Sequence, residues 1–262
     1  MIRKPAVAGS FYPAVSDELQ KMVDNFLTNA KKDLPLPKAI IAPHAGYIYS
    51  GQIAASAYAC LINSRNIIKR VVILGASHYA GFSIVATSSA EHFSTPLGLV
   101  KVDQDTISKI SSFTEVGTLD EAHTNEHSLE VQLPFLQTVL KDFTIIPLLV
   151  SSSEPQEVAK VIDALWGGNE TLVVVSSDLS HYLDYDTAQK TDQKTAQAIV
   201  NLKPQDIRDY QACGNLPIKA LLEIAIKKHL KVATIDLRNS GDTAGDKSRV
   251  VGYGAFHFYT TN

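Results

Sequence analysis

The residues able to do chemistry sit at the ends of apolar runs, where segments distant in sequence can be brought together. His44 follows Ala39-Ile40-Ile41-Ala42, His78 follows Val71-Val72-Ile73-Leu74, and Asp178 and His181 follow Leu172-Val173-Val174-Val175. Asn239-Ser240-Gly241-Asp242 follows a further run, Val232 to Leu237. Imidazole is both a common metal ligand and a proton carrier near neutral pH. Two imidazoles with one carboxylate also leave coordination positions open for an oxidant and a bidentate substrate. Taken singly, each residue has an ordinary explanation: a hydrogen-bonded loop histidine, or an Asp or Asn capping the next helix. Three histidines and an aspartate at the ends of apolar runs, beside Ser and Gly that allow close backbone approach, point to one site. His92, His229 and His257 lack such a setting and read as surface or packing residues.

The elements that must hold these residues follow from the same runs. Ala39 to Ala42, Val71 to Leu74, Ile145 to Val150, Leu172 to Val175 and Val232 to Leu237 are nearly continuous in apolar side chains, as a parallel sheet covered on both faces demands. Between them, helices are expected over Ser16 to Ala30, Gln52 to Ile62, Pro155 to Trp166, Thr187 to Leu202 and Pro217 to His229. Alternation of strand and helix makes this an α/β chain. It is read as a single domain over residues 1–262, with a mostly parallel sheet and helices on both faces, since no linker or low-complexity tract divides it. Ser83 to Val102 reads as a hairpin at the sheet edge, and Val250 to Tyr259 as a late edge strand. In such a sheet the ligand crevice lies outside the carboxyl ends of the strands, which is where the polar residues fall.

Composition narrows the classes. The chain has 262 residues, 45% hydrophobic and 19% charged, close to the globular average. A net charge of −3 without a basic block argues against a nucleic-acid or anionic-membrane surface. No apolar run approaches the ~18 residues of a membrane span, and no signal peptide follows Met1. Cys60 and Cys213 form no Cys-x-x-Cys pairing and suit a reducing cytoplasm. The cluster Asn125-Glu126-His127-Ser128-Leu129-Glu130 opens an expected helix ending near Leu140, with Pro134 demanding a kink or a later start. Glu126 and His127 either serve that helix or orient a cleft histidine through its distal ring nitrogen. Tyr47 and Ser240 are read as substrate contacts.

Five motifs, in order, carry a family resemblance: Arg3-Lys4-Pro5-Ala6-Val7-Ala8-Gly9-Ser10-Phe11-Tyr12-Pro13, Pro43-His44-Ala45-Gly46-Tyr47-Ile48-Tyr49-Ser50-Gly51, Gly75-Ala76-Ser77-His78, Glu126-His127-Ser128-Leu129-Glu130 and Ser177-Asp178-Leu179-Ser180-His181. Over essentially the whole chain the sequence resembles the Memo family, whose prokaryotic members are also called AmmeMemoRadiSam system protein B. That family is similar in fold to the LigB-type class III extradiol dioxygenases. The resemblance implies metal ligation by His44 and His78 and an acid/base role for His181, with Asp178 beside it. At the third metal position, animal Memo proteins look to have a cysteine and the dioxygenases a glutamate, where this chain offers Asn239. A neutral amide is the poorer ligand, so Asp242 or Asp178 is expected to supply the carboxylate.

The resulting expectation is a non-haem metal enzyme of redox or dioxygenase type, using iron or alternatively copper or zinc as a divalent metal. The alternative is a non-catalytic module binding a small molecule or peptide, as the animal proteins suggest for phosphotyrosine-containing partners, or an accessory factor to radical-SAM and AMMECR-type proteins. A zinc hydrolase is a further alternative on the same histidines. A Ser240-His181-Asp178 triad has the residue types but no Gly-x-Ser-x-Gly elbow to expose the nucleophile.

Overall fold

The computed structural model describes residues 1–260. The strands in chain order are β1 (Ile2–Arg3), β2 (Ala39–Ala42), β3 (Arg70–Ala76), β4 (Val85–Thr87), β5 (His92–Thr95), β6 (Gly98–Val102), β7 (Val116–Thr118), β8 (Thr144–Val150), β9 (Thr171–Ser176), β10 (His181–Leu183), β11 (Lys231–Asn239) and β12 (Val250–Tyr259). The helices are α1 (Ser16–Thr28), α2 (Tyr47–Tyr58), α3 (Gln104–Ile110), α4 (Asp120–Thr124), α5 (Leu133–Val139), α6 (Pro155–Ala164), α7 (Tyr185–Val200) and α8 (Asn215–Lys227). No helix among the described residues is long and apolar enough to cross a membrane.

One mixed sheet runs β1-β5-β6-β8-β3-β9-β2-β12-β10, with β11 added along β12. Its centre, β8-β3-β9-β2, is parallel and almost wholly buried, which is why these strands read as unbroken apolar runs. Helices α1, α2 and α5 pack together against the sheet, and α6 and α8 form another layer, α8 lying on β3 and β9. The single-domain α/β architecture with helices flanking a mostly parallel sheet is therefore the one the sequence called for, built on one hydrophobic core.

The two C-terminal strands depart from expectation. β11 is antiparallel to β12 and only partly buried, so it is no central parallel strand. β12, expected at an edge, lies inside the sheet, bonded to β2, β11 and β10 and buried along most of its length. Gly252 and Gly254 within it make room for packing: a Cβ on Gly252 would stand 2.0 Å from the Asp192 carboxylate. The edge hairpin is shorter than expected, β5 and β6 alone, while β4 pairs with β7 and β8. Residues 125–129 lie outside any helix, between α4 and a 3-10 turn at Glu130–Gln132, and α5 starts at Leu133, with Pro134 in its first turn where the missing N–H costs nothing.

Candidate metal centre

Strands β3, β9 and β2 are neighbours, with Gly75 and Ala42 both level with Ser176 of β9. Their carboxyl ends therefore deliver His78, Asp178 and His44 to one place, a cleft of about 640 Å3 that His181 also lines. That volume is in the range of small-molecule sites.

Both histidines have the role of Nδ1 set by their surroundings. The Ser176 hydroxyl has a single hydrogen, which it donates to the Ser128 carbonyl at 2.6 Å, while it accepts from Gln132 Nε2 at 2.8 Å. His44 Nδ1, 2.9 Å from the same oxygen, must then be the donor, which leaves Nε2 to face Cys213. Gln132 is itself fixed by the Pro43 carbonyl and by Tyr58, whose hydroxyl donates to it. At His78, Nδ1 donates to Glu126 Oε1 at 2.9 Å, and the His78 backbone N–H donates to Glu126 Oε2 at 2.6 Å. The other lone pairs of Oε1 take the N–H groups of His127 and Ser128.

The two Nε2 atoms face a thiol. Cys213 Sγ is 3.3 Å from His44 Nε2, and ligand atoms of His44, His78 and Cys213 all lie within 4.8 Å of one another. Burial opposes ionisation of this thiol, yet the charges and hydrogen bonds of His44 and His78 prevail and hold it down at about 5. Reciprocally, burial is outweighed at His78 by Cys213 and Glu126, which lift it to about 10, and Glu126 is drawn down to about 2 despite its own burial. A thiolate converging with two pre-oriented imidazoles suits a first-row transition metal or zinc.

Cys213 reaches this place because Gly214, at the start of α8, lies against the end of β9. A Cβ on Gly214 would stand 2.7 Å from Ser177 Cβ, and its N–H donates to Ser177 Oγ at 2.9 Å. Sequence reasoning set Cys213 aside for want of a second nearby cysteine. The usable signal was a Cys-Gly pair ahead of an apolar helix, and only the fold shows what it faces.

Among the described residues it is Cys213, and not Asn239 or Asp242, whose donor atom groups with those of His44 and His78. Asn239 Oδ1 accepts the Gly241 N–H at 2.9 Å, and Asp242 accepts from the Asn239 N–H and from Tyr185. Both carboxamide and carboxylate are spent on the turn after β11. Asp178 lines the cleft but gives Oδ1 to the His44 N–H at 2.8 Å, so it braces the loop that carries a ligand. Tyr47, expected to touch substrate, is buried with its hydroxyl donating to the Val131 carbonyl, and Tyr49 takes its place in the cleft wall. Ser240 does line the cleft.

His127 stacks on His78 with ring centroids 4.6 Å apart. Burial and the nearby His44 push it down to about 4, which leaves it neutral, and its Nδ1 has no hydrogen-bond partner. With His78 and Glu126 it forms a second grouping of metal-ligating types. Glu126 already accepts four N–H groups, so its role is orientation of His78. Glu126→Ala is expected to weaken metal binding by roughly 10–100-fold, as loss of an outer partner does elsewhere. Competition with a chromophoric chelator measures it, and unchanged affinity would reduce Glu126 to a brace for the loop.

Comparison with known proteins bears on the whole chain. A family model described as Memo-like protein matches residues 3–257. The chain belongs to the Memo-like family. Among its relatives, a MEMO1 family protein of Aquifex aeolicus is 37% identical, the match covering 96% of this chain and 97% of that one. MEMO1 family proteins of Metallosphaera sedula and Sulfolobus acidocaldarius are 35% and 37% identical, each match covering 98% of this chain and 99% of theirs. In this Memo-like chain the motifs around His44, His78, Glu126 and Asp178 are the ones that build the cleft, and Cys213 lies outside all of them.

Proposed function

We propose that this Memo-like protein holds one redox-active first-row metal, iron or copper, on His44, His78 and Cys213, and that it is an oxidoreductase acting on a small molecule in the manner of the extradiol dioxygenases that its family resembles in fold. The observation that carries the reading is the convergence of the Cys213 sulfur with two imidazoles whose Nδ1 atoms are both engaged elsewhere. Three protein ligands leave positions open to substrate, and bound metal would supply Lewis acidity and electron transfer.

The protein's own groups supply the rest. His181 donates from Nδ1 to the Leu179 carbonyl at 2.8 Å, so its Nε2 is the unprotonated nitrogen and serves as a base at the cleft. Phe11, Tyr49 and Tyr253 narrow the cleft and exclude water from the reacting groups.

Elemental analysis of protein purified without chelators, followed by absorption spectra of the iron- and copper-loaded forms, is the test. Stoichiometric iron or copper with a thiolate charge-transfer band supports the reading. Stoichiometric zinc alone would favour hydrolysis, because the same donor set suits catalytic zinc. Absence of uptake of all three metals would overturn the metal reading in favour of a ligand-binding module. In His181→Ala, retained metal with lost turnover separates the base from the ligands.

A further inference from the structure

The cleft mouth contains an irregularity that the metal centre does not account for. Tyr182, between His181 and Leu183 on β10, has φ 58°, a left-handed conformation unfavourable for a bulky aromatic residue. The register of β10 on β12 shifts there, with His181 opposite Val251 and Leu183 opposite Val250. Bulges of this kind re-aim side chains, and backbone strain persists where surrounding structure over-determines it. Here the bulge leaves the Tyr182 ring 64% exposed at the cleft.

Arg249, which immediately precedes β12, lays its guanidinium over that ring, 5.2 Å from the centroid. It is the one lysine or arginine among the described residues that line the cleft, and no carboxylate forms an ion pair with it among the described residues. The two carboxylates of the cleft are otherwise engaged: Asp178 with the His44 N–H, and Asp246 with the Ser248 N–H at 2.5 Å. A guanidinium over an aromatic face keeps N–H donors, the fork that matches carboxylate and phosphate oxygens.

We infer that Arg249, seated on Tyr182, docks a terminal oxyanion of the substrate. That substrate is a small molecule with a carboxylate or phosphate at one end and a flat body lying along Phe11, Tyr49 and Tyr253 toward the metal centre. The inference rests on the cleft being a small-molecule site, as proposed above, and adds the chemical class of what enters it. It also makes Arg249 a specificity-determining residue, carried by the same pair of strands that carries His181.

Chelator-treated, metal-free protein and its Arg249→Gln variant are titrated with benzoate, phenyl phosphate and the neutral benzamide, with binding followed by ligand-observed NMR. At least one anion is expected to bind about tenfold tighter than benzamide, the scale of one charge-assisted contact of about 1.4 kcal/mol. Arg249→Gln is expected to remove that preference and leave benzamide unchanged, and the tighter of the two anions identifies carboxylate or phosphate as the group recognised. No preference for an anion, or a preference that survives Arg249→Gln because the cleft histidines supply it, would overturn the inference. Metal content is measured on the same samples. A protein that takes up no metal yet discriminates the anions refutes the metal centre alone, and one that binds metal without discriminating refutes the anion site alone.

Discussion

Cys213→Ser is expected to lower the affinity for iron(II) and copper(I) by about 100-fold or more, since loss of an outer partner alone costs roughly 10–100-fold and this change removes a ligand. Serine keeps the size and polarity of the side chain, but an alcohol stays protonated where the thiol, held at about 5, is already a thiolate. Asn239→Ala and Asp242→Asn should leave affinity within about threefold, because their polar atoms are committed to Gly241, Tyr185 and the turn itself. The comparison is sharp because Asn239 and Asp242 line a separate pocket with Asp192 and Leu237, and only Cys213 puts its donor atom against His44. Anaerobic titration of the wild type and the three variants decides it. Equal affinity in Cys213→Ser would remove the sulfur from the centre and with it the proposed function. Acid should add to the substitution: bound metal displaces the proton that His78 holds up to about 10, so affinity should fall as pH drops below that value, and more steeply once the thiolate is itself protonated near 5.

The parts of this centre legible in the sequence are those that depend on strands. A buried parallel strand must be apolar throughout, so its end is marked by the first polar residues, and the crevice rule then says where they gather. His44, His78 and Asp178 could be placed together on that reasoning because β3, β9 and β2 are adjacent. Cys213 could not, because it comes from the loop before α8, and nothing local says that Gly214 will press against Ser177. The Tyr58-Gln132-Ser176-His44 chain was invisible for a related reason: each member is an unremarkable residue, and the hydrogen bonds that order them span 44 to 132 positions. The misplacement of β12 has another cause. Aromatic residues interspersed with glycine look like an edge strand, whereas here Gly252 is required by the Asp192 carboxylate packed against it.

The second large effect concerns the N-terminal segment, which reaches the cleft as Phe11 and is tied down by a single buried carboxylate. Glu130 is fully buried, and its two oxygens accept from Arg3 Nη1, the Ala6 N–H at 2.7 Å, the Val7 N–H at 3.0 Å and the Tyr12 hydroxyl at 2.5 Å. Arg3 is buried as well, its other donors meeting the His123 and Glu126 carbonyls. Glu130→Ala would leave that guanidinium without its counter-charge and two backbone N–H groups without acceptors. Breaking a buried pair in this way costs about 3–5 kcal/mol, far more than an exposed pair. For a chain of this size the melting temperature should drop by roughly 6–20 °C. Glu130→Gln keeps an acceptor and the shape but loses the charge, so its loss should be smaller. An Arg3→Met, Glu130→Leu double variant should recover part of the difference by removing both charges, though not the orphaned N–H groups of Ala6 and Val7. The effect should also extend to the cleft. The Phe11 carbonyl accepts the Tyr47 N–H at the start of α2, and the Phe11 ring lies 4.9 Å from His127. Loosening residues 5–13 would then open the cleft wall beside the metal ligands while leaving the ligands themselves in place. Thermal melts and metal titrations on the same samples separate these consequences: a large fall in melting temperature with nearly intact metal affinity is the expected pattern. A melt unchanged within about 1 kcal/mol would show that the carboxylate is replaceable there and that apolar packing of Val7 and Tyr12 suffices to hold the segment.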